Sequence, residues 1–114
     1  MTVRVQEQDF DVGAELAALT AGNHGIGGLG VFVGLVRDIA GGASVAGMTL
    51  EHYPGMTERQ LEAIEAEARA RWPLEASLIV HRVGRLEPGD NIVLVACASA
   101  HRQAALDATA FLID

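Results

Sequence analysis

The last quarter of the chain constrains the fold most, because it joins a buried strand directly to a helix. Residues 92–98 are an apolar run rich in Val and Ala, which is typical of a strand buried on both faces. Ser99 then offers a helix N-cap, and helix-forming residues follow from Ala100. The sequence therefore predicts a helix that leaves the end of a buried strand, with His101 and Arg102 in its first turn.

The start of this helix is a candidate anion site. The first backbone N–H groups of a helix lack internal partners and carry the positive end of the helix dipole. The guanidinium of Arg102 and the imidazole of His101 beside them suit phosphate or carboxylate. On the residues alone a second interpretation stays open, in which Arg102 simply lies on a capped and solvated first turn.

Length and charge limit the class of protein. The 114 residues predict one domain, 1–114, and the net charge of −7 argues against nucleic acid or an anionic membrane as partner. No apolar run approaches the about 20 residues of a membrane span, and the N-terminus resembles no signal segment. The single cysteine excludes an internal disulfide and fits the reducing cytoplasm.

Hydrophobic patterning predicts the order β-α-β-β-α-β-β-α, which is an α+β fold. The predicted strands are Thr2–Gln8, Leu29–Arg37, Val45–Tyr53, Ala76–Gly84 and Asn91–Ser99. The turn sequence at residues 87–90 separates the last two strands, so we expect them to pair as an antiparallel hairpin.

Two further helices are predicted before the last one. Asp11 is a suitable cap for a short first helix. Thr57 and Gln60 match a capping box at the start of the second helix, which ends before Pro73. Its apolar stripe indicates core packing, and Glu65 is expected on the solvated face in an i,i+4 pair with an arginine.

The glycine-rich segment Gly22–Gly30 matches G-x-G-x-x-G at Gly25, Gly27 and Gly30. A dinucleotide-binding turn needs a strand before it and a helix after it, whereas here the predicted order is reversed. We therefore interpret the segment as a flexible connection.

Other reactive side chains have structural interpretations. Cys97 lies within a predicted strand, where a buried and inert thiol is the usual state, and nothing basic adjoins it. His81 and Arg82 point to opposite faces of a strand and are interpreted as structural. The four histidines lack the spacing and cysteine partners of a zinc site, so we expect no metal and no cofactor. They are His24, His52, His81 and His101.

Five stretches, in this order and spacing, resemble the large catalytic subunit of molybdopterin synthase. They are F-V-G-L-V-R (residues 32–37), T-L-E-H-Y-P-G-M-T (49–57), R-W-P-L (71–74), H-R-V-G-R-L-E-P-G-D (81–90) and S-A-H-R (99–102). E-H-Y-P-G-M and S-A-H-R at this separation are the specific parts. The resemblance covers nearly the whole chain from about residue 30.

This resemblance implies an α/β-hammerhead-like fold with an additional small antiparallel sheet. It also implies a homodimer in which each copy receives the Gly-Gly thiocarboxylate tail of a small ubiquitin-like subunit, giving a heterotetramer. Sulfur would pass from that tail to cyclic pyranopterin monophosphate, without a metal, to form the dithiolene of molybdopterin in molybdenum cofactor biosynthesis. By the same resemblance Arg37, His101 and Arg102 contact the anionic substrate. Phe32 would line a pocket near the tail, and an ordinary core role for Phe32 stays open.

The sequence departs from the family pattern at its end. The family continues beyond the position of Asp114 with a segment of the kind Y-L-K-x-x-A-P-F-W-K that holds two catalytic lysines, whereas all eight basic residues here are arginine. The last helix also lacks a stop signal, which predicts that the sequence is cut short. We expect these 114 residues alone to be inactive in sulfur transfer, because guanidinium groups stay protonated.

Two alternatives stay open. The chain could be a non-catalytic assembly or phosphate-binding module on the same scaffold, which keeps His101 and Arg102 without the lysines. It could also be a ferredoxin-like domain with no small ligand, because β-α-β-β-α-β is embedded in the predicted order.

Overall fold

The computed structural model describes residues 2–37, 48–50 and 53–113. Three helices and six strands occur within these ranges. They are β1 (Thr2–Gln6), α1 (Val12–Thr20), β2 (Gly28–Leu35), β3 (Met48–Leu50), α2 (Met56–Arg71), β4 (Leu74–Arg82), β5 (Gly84–Leu86), β6 (Asn91–Ser99) and α3 (Arg102–Ile113). The α+β class and the predicted element order are confirmed, with one further short strand, β5.

Four strands form a mixed sheet in the order β1-β4-β6-β2. The predicted hairpin is confirmed, since β4 and β6 pair antiparallel with His81 opposite Val93. On the other side β6 pairs antiparallel with β2, and Gly28 lies opposite Ser99. β1 joins the far side of β4 as a parallel neighbour. The buried strand β6 is therefore central, as its apolar run predicts.

A second sheet consists of β3 and β5, which pair antiparallel. The small additional sheet is thus confirmed, and the ferredoxin-like alternative is wrong because β3 does not join the main sheet. The predicted strand Ala76–Gly84 divides at Val83, where the chain passes from one sheet to the other. The predicted strand Val45–Tyr53 is represented only by β3, since residues 38–47 and 51–52 lie outside the described residues.

Helices cover both faces of the main sheet. α1 packs on one face over a core of five buried residues, which are Phe10, Leu78, Val80, Leu94 and Ala96. Its cap is confirmed, because Asp11 Oδ1 accepts the Ala14 N–H at 3.0 Å. α3 packs on the opposite face against β2 and β6, while α2 contacts β1, β4 and α3. Because side chains alternate along β6, the strand contributes residues both to the core under α1 and to the packing against α3.

The glycine-rich segment brings backbones together, so its interpretation as a flexible connection is wrong from Gly27 onward. A Cβ atom on Gly30 would lie 2.5 Å from the Ala105 carbonyl oxygen of α3, and one on Gly27 would strike the Ala100 carbonyl oxygen. α3 therefore lies directly on the bare backbone of β2. The rejection of a dinucleotide-binding turn is confirmed, because the segment follows α1 and leads into β2.

The start of α2 differs from the predicted capping box. The helix begins at Met56, and the N–H of Gly55 donates to the Glu58 carboxylate at 3.2 Å. The Thr57 hydroxyl instead accepts the Tyr53 N–H at 3.3 Å. Gly55 has a φ of +82°, a conformation that favours glycine, and the helix therefore starts after Gly55 and not after Thr57.

Glu65 on α2 is buried, contrary to its predicted place on the solvated face. Its side chain is 4% exposed, and it accepts the Ser77 hydroxyl of β4 at 2.6 Å. The arginine of the predicted i,i+4 pair is Arg69, and its guanidinium approaches the Glu65 carboxylate only to 4.0 Å. The carboxylate thus joins α2 to the sheet through a short, charge-assisted hydrogen bond.

Arg82 has the structural role that its strand position predicts. Its guanidinium donates to the Glu7 and Asn91 carbonyl oxygens and so connects β4 to the β1–α1 loop. In that loop the pKa of Asp9 is lowered, chiefly by the hydrogen bond from the Asn91 amide and next by the Phe10 N–H. None of the helices in the described part of the chain combines the length and apolarity needed to cross a bilayer.

Candidate functional site

α3 begins at Arg102. With Ser99 as its N-cap it would begin two residues earlier, at Ala100. Ser99 is the last residue of β6, because its carbonyl oxygen accepts the Gly27 N–H at 2.9 Å and extends the pairing with the neighbouring segment. His101 takes the N-cap position, since its carbonyl oxygen accepts the Ala105 N–H at 3.2 Å. The N-cap prediction for Ser99 is therefore wrong, although its hydroxyl does accept the His101 N–H at 3.2 Å.

The beginning of α3 is exposed and basic. His101 and Arg102 are both exposed, and the first turn holds no acidic residue. In the described ranges Arg102 has no carboxylate partner within ion-pair distance. The first N–H groups of the helix also lack internal acceptors, so an anion placed here meets backbone donors and a guanidinium together.

Close packing fixes where Arg102 stands. A Cβ atom on Gly28 would lie 2.9 Å from the Arg102 Cα atom. Only glycine at this position lets the first turn of α3 approach β2 so closely. In the sequence this close approach is indicated by glycines at positions 28 and 30, because residues two apart in a strand lie on the same face and neither glycine carries a side chain there.

Arg37 lies at the other end of β2. Gly28 is opposite Ser99, whereas Leu35 is opposite Asn91 at the far end of β6. Nine residues of extended chain separate Gly28 from Arg37, which corresponds to about 25–30 Å. Within one chain, therefore, the structure does not bring Arg37 together with His101 and Arg102.

The backbone before Arg37 is held firmly. Val36 is 5% exposed, its N–H donates to the Asp90 carbonyl oxygen at 2.9 Å, and its carbonyl oxygen accepts the Gly89 N–H at 2.8 Å. A register shift between Gly34 and Leu35 bends the strand just before this point. Arg37 itself is exposed and follows directly after this held backbone.

Phe32 lines an apolar cavity of about 190 Å³ between the sheet and the helices α2 and α3. Its side chain is 37% exposed, so an ordinary core position does not describe it. Sequence reasoning missed that His81 lines the same cavity, where its Nδ1 atom has no hydrogen-bond partner among the described residues. The clue was that Phe32 and His81 fall on the same face of their strands, but the strand register was needed to use it.

Cys97 is buried, as its place in the strand predicts. Burial raises the pKa of the Cys97 thiol, and the negative charge of Glu65 acts in the same direction, against a hydrogen bond with Thr109. A thiol of this kind holds less thiolate at neutral pH and is a poor nucleophile. Its position gives it no part in the candidate site.

We expect labelling of Cys97 by N-ethylmaleimide to follow unfolding. In the folded protein at neutral pH the rate should be at least about 10²-fold lower than in denaturant, because the thiol must first be exposed. The measurement is mass spectrometry of the labelled fraction over time, with the unfolded chain as its own control. Equal rates in the two states would contradict the assignment of Cys97 as an inert core residue.

Metal ligands do not converge in the described part of the chain, where no group of three His, Cys, Asp or Glu side chains could hold an ion. The donors that the site itself offers are the imidazole of His101, the guanidinium of Arg102 and the backbone of the first turn of α3.

Known proteins share this fold and sequence. Residues 5–114 match the family described as MoaE protein. A relative from Pseudomonas aeruginosa, named molybdopterin synthase catalytic subunit, is 60% identical over the 114 residues, which cover 76% of its length. A molybdopterin biosynthesis MoaE protein from Burkholderia ambifaria superposes with a TM-score of 0.90 at 54% identity, over 98% of this chain and 73% of that one. A molybdopterin synthase structure from Staphylococcus aureus gives 0.87 at 30% identity, over 96% and 79%.

A mixed sheet covered on both faces, with an exposed and basic helix start at one end, defines a small α+β protein whose candidate site offers the donors that suit an anion. The sequence match over nearly the whole chain makes the assignment specific. The chain belongs to the MoaE protein family.

Proposed function

We propose that this chain acts as the catalytic subunit of a molybdopterin synthase. In that role it receives sulfur from the C-terminal thiocarboxylate of a small ubiquitin-like subunit. It transfers two sulfur atoms, one from each of two thiocarboxylates, to cyclic pyranopterin monophosphate, which thereby gains the dithiolene of molybdopterin. The proposal rests on the family and on one observation, the exposed basic start of α3, which suits the phosphate of that substrate. The single free thiol fits a reducing cytoplasm as its compartment.

His101 and Arg102 bind the substrate phosphate in this proposal. The Arg102 guanidinium offers paired N–H donors to two phosphate oxygens, and the free N–H groups of the first helical turn reach a third. His101 adds a ring N–H donor. Both side chains are exposed, so substrate reaches them from solvent without rearrangement of the core.

A homodimer completes the site in this proposal. Arg37 stands at the opposite end of β2 from Arg102, so a site that uses both needs Arg37 of a second copy. β2 is an edge strand of the main sheet among the described residues, and Val31 and Leu35 on it are exposed apolar side chains. The rigid backbone at Val36 suits a side chain that must reach into another subunit.

The tail of the small subunit passes the Phe32 cavity in this proposal. Phe32 is four strand residues from Gly28, which puts the cavity about 13 Å from the start of α3. About four residues of extended tail bridge that distance. The lining is largely apolar and includes Leu61, Val95 and Leu112. It therefore suits an uncharged stretch of the tail. The thiocarboxylate is then delivered toward the basic helix start.

Mixing two variants that each fail to bind phosphate tests whether the site is shared between two copies. Arg37→Ala and Arg102→Ala each lose high-affinity binding of inorganic phosphate, measured by isothermal titration calorimetry. After subunit exchange, mixed dimers hold one intact site each, so we expect about a quarter of the wild-type sites to return. Arg59→Ala, an exposed arginine on α2, is the matched control and should bind normally. If the mixture binds no better than its parts, the shared site is wrong.

A second candidate function is a non-catalytic assembly or phosphate-binding module on the same scaffold. The observation that favours it is that none of the 114 residues is a lysine. Such a module would bind phosphate at His101 and Arg102 with the same affinity but would not transfer sulfur. Binding alone does not separate the two functions, whereas a turnover assay does.

A further inference from the structure

Ser99 is fully buried and stands where three segments meet. Its carbonyl oxygen accepts the N–H of Gly27, which leads into β2. Its hydroxyl donates to the Pro73 carbonyl oxygen at 2.9 Å, in the connection between α2 and β4. The same hydroxyl accepts the N–H of His101 at 3.2 Å. The backbone of Ser99 therefore joins the segment before β2, while its hydroxyl joins the α2–β4 connection to the start of α3.

The hydrogen bond from the His101 N–H to the Ser99 hydroxyl sets the orientation of the His101 peptide. His101 is the N-cap residue of α3, so the orientation of its peptide sets where the helix begins and where its first free N–H groups point. Without this acceptor, the His101 N–H loses its partner and the peptide is free to reorient. The Ser99 hydroxyl thus keeps the His101 N–H occupied and fixes the direction of the free N–H groups in the first turn of α3.

We propose that Ser99 is a positioning residue for phosphate binding at His101 and Arg102, an inference that rests on the function proposed above. Ser99 does not touch the anion, because its hydroxyl is buried and already used by Pro73 and His101. It acts by holding the His101 peptide in the geometry that presents the first turn of α3. Two hydrogen bonds of opposite sense hold the hydroxyl itself in one orientation.

The test compares three variants of the full chain. Ser99→Ala removes the hydroxyl, and Ser99→Thr keeps it while adding a methyl group to a fully buried site. Ser77→Ala is the matched control, because Ser77 is the other serine with no exposed surface in the described ranges, and its hydroxyl bonds Glu65 instead. Two quantities are measured: hydrogen exchange of the His101 amide without ligand, and the affinity for inorganic phosphate followed at the Arg102 amide by NMR.

We expect Ser99→Ala to exchange the His101 amide faster and to bind phosphate about five- to tenfold more weakly, the effect of one lost hydrogen bond. Ser99→Thr should keep the wild-type affinity even where the extra methyl lowers its melting temperature. Ser77→Ala should lose stability but not affinity. Affinity then follows the Ser99 hydroxyl and not the stability of the fold.

The possible failures are distinguishable. A wild-type protein with no phosphate response at Arg102 contradicts the proposed function itself. Normal wild-type binding together with unchanged exchange and affinity in Ser99→Ala overturns the positioning role alone. The same holds if Ser77→Ala weakens binding as much as Ser99→Ala, or if Ser99→Thr fails to restore it, because stability would then explain the effect.

Discussion

The 114-residue polypeptide should transfer sulfur at least about 10²-fold more slowly than the Pseudomonas aeruginosa relative, when both are given a thiocarboxylated small subunit and cyclic pyranopterin monophosphate. The reason is that these residues include no lysine. An amine that loses its proton in a desolvated, cation-rich pocket can act as a nucleophile, whereas a guanidinium stays protonated. The measurement is the initial rate of molybdopterin formation.

Two controls separate lost chemistry from lost structure. The same polypeptide should still bind inorganic phosphate, since His101 and Arg102 are present on a folded α3. A polypeptide extended after Asp114 by a segment of the family kind Y-L-K-x-x-A-P-F-W-K should regain turnover, and replacing its lysines by glutamine should abolish it again. Normal turnover by the 114 residues would falsify the prediction and remove the case for a lysine mechanism. Phosphate binding without turnover even in the extended chain would favour the non-catalytic module.

Local patterns were sufficient for the order of the elements. The apolar run at residues 92–98 and the stripe of α2 depend on periodicity within one segment, and both elements are found. The start of α1 at Asp11 was predicted, whereas that of α3 was not, because Ser99 is held in β6 by Gly27, far away in sequence. Likewise Glu65 can be buried because the Ser77 hydroxyl on β4 donates a hydrogen bond to its carboxylate, a partner that the helical pattern of α2 does not contain.

The candidate site shows the same division. The exposed pair His101 and Arg102 follows from a strand end and a helix start, so the sequence was sufficient to find it. The relation of Arg37 to that pair depends on strand register, and only the pairing of Gly28 with Ser99 and of Leu35 with Asn91 reveals the separation. Family resemblance grouped the three residues by role, whereas the register places Arg37 apart from the other two within one chain.

Replacing Gly30 by alanine should lower the free energy of unfolding by about 3 kcal/mol and the melting temperature by about 10 °C. The new methyl group would lie 2.5 Å from the Ala105 carbonyl oxygen and 2.6 Å from the Thr109 hydroxyl oxygen. Ala105 presents backbone, which no rotamer change can move away, so α3 must shift as a whole. Gly30 is itself buried on the face of β2 that contacts α3, so the new methyl group cannot move into solvent.

The matched control is Gly13→Ala in α1, where the new methyl group meets only Asp11 Oδ1 at an ordinary 3.5 Å. Alanine is the better helix former, so this variant should melt at the wild-type temperature or above it. Thermal unfolding followed by circular dichroism measures both. Because α3 carries Arg102, Gly30→Ala should also weaken phosphate binding at temperatures where it is still folded. A Gly30→Ala protein with wild-type stability and affinity would mean that β2 and α3 are not in the direct backbone contact on which the placement of the site depends.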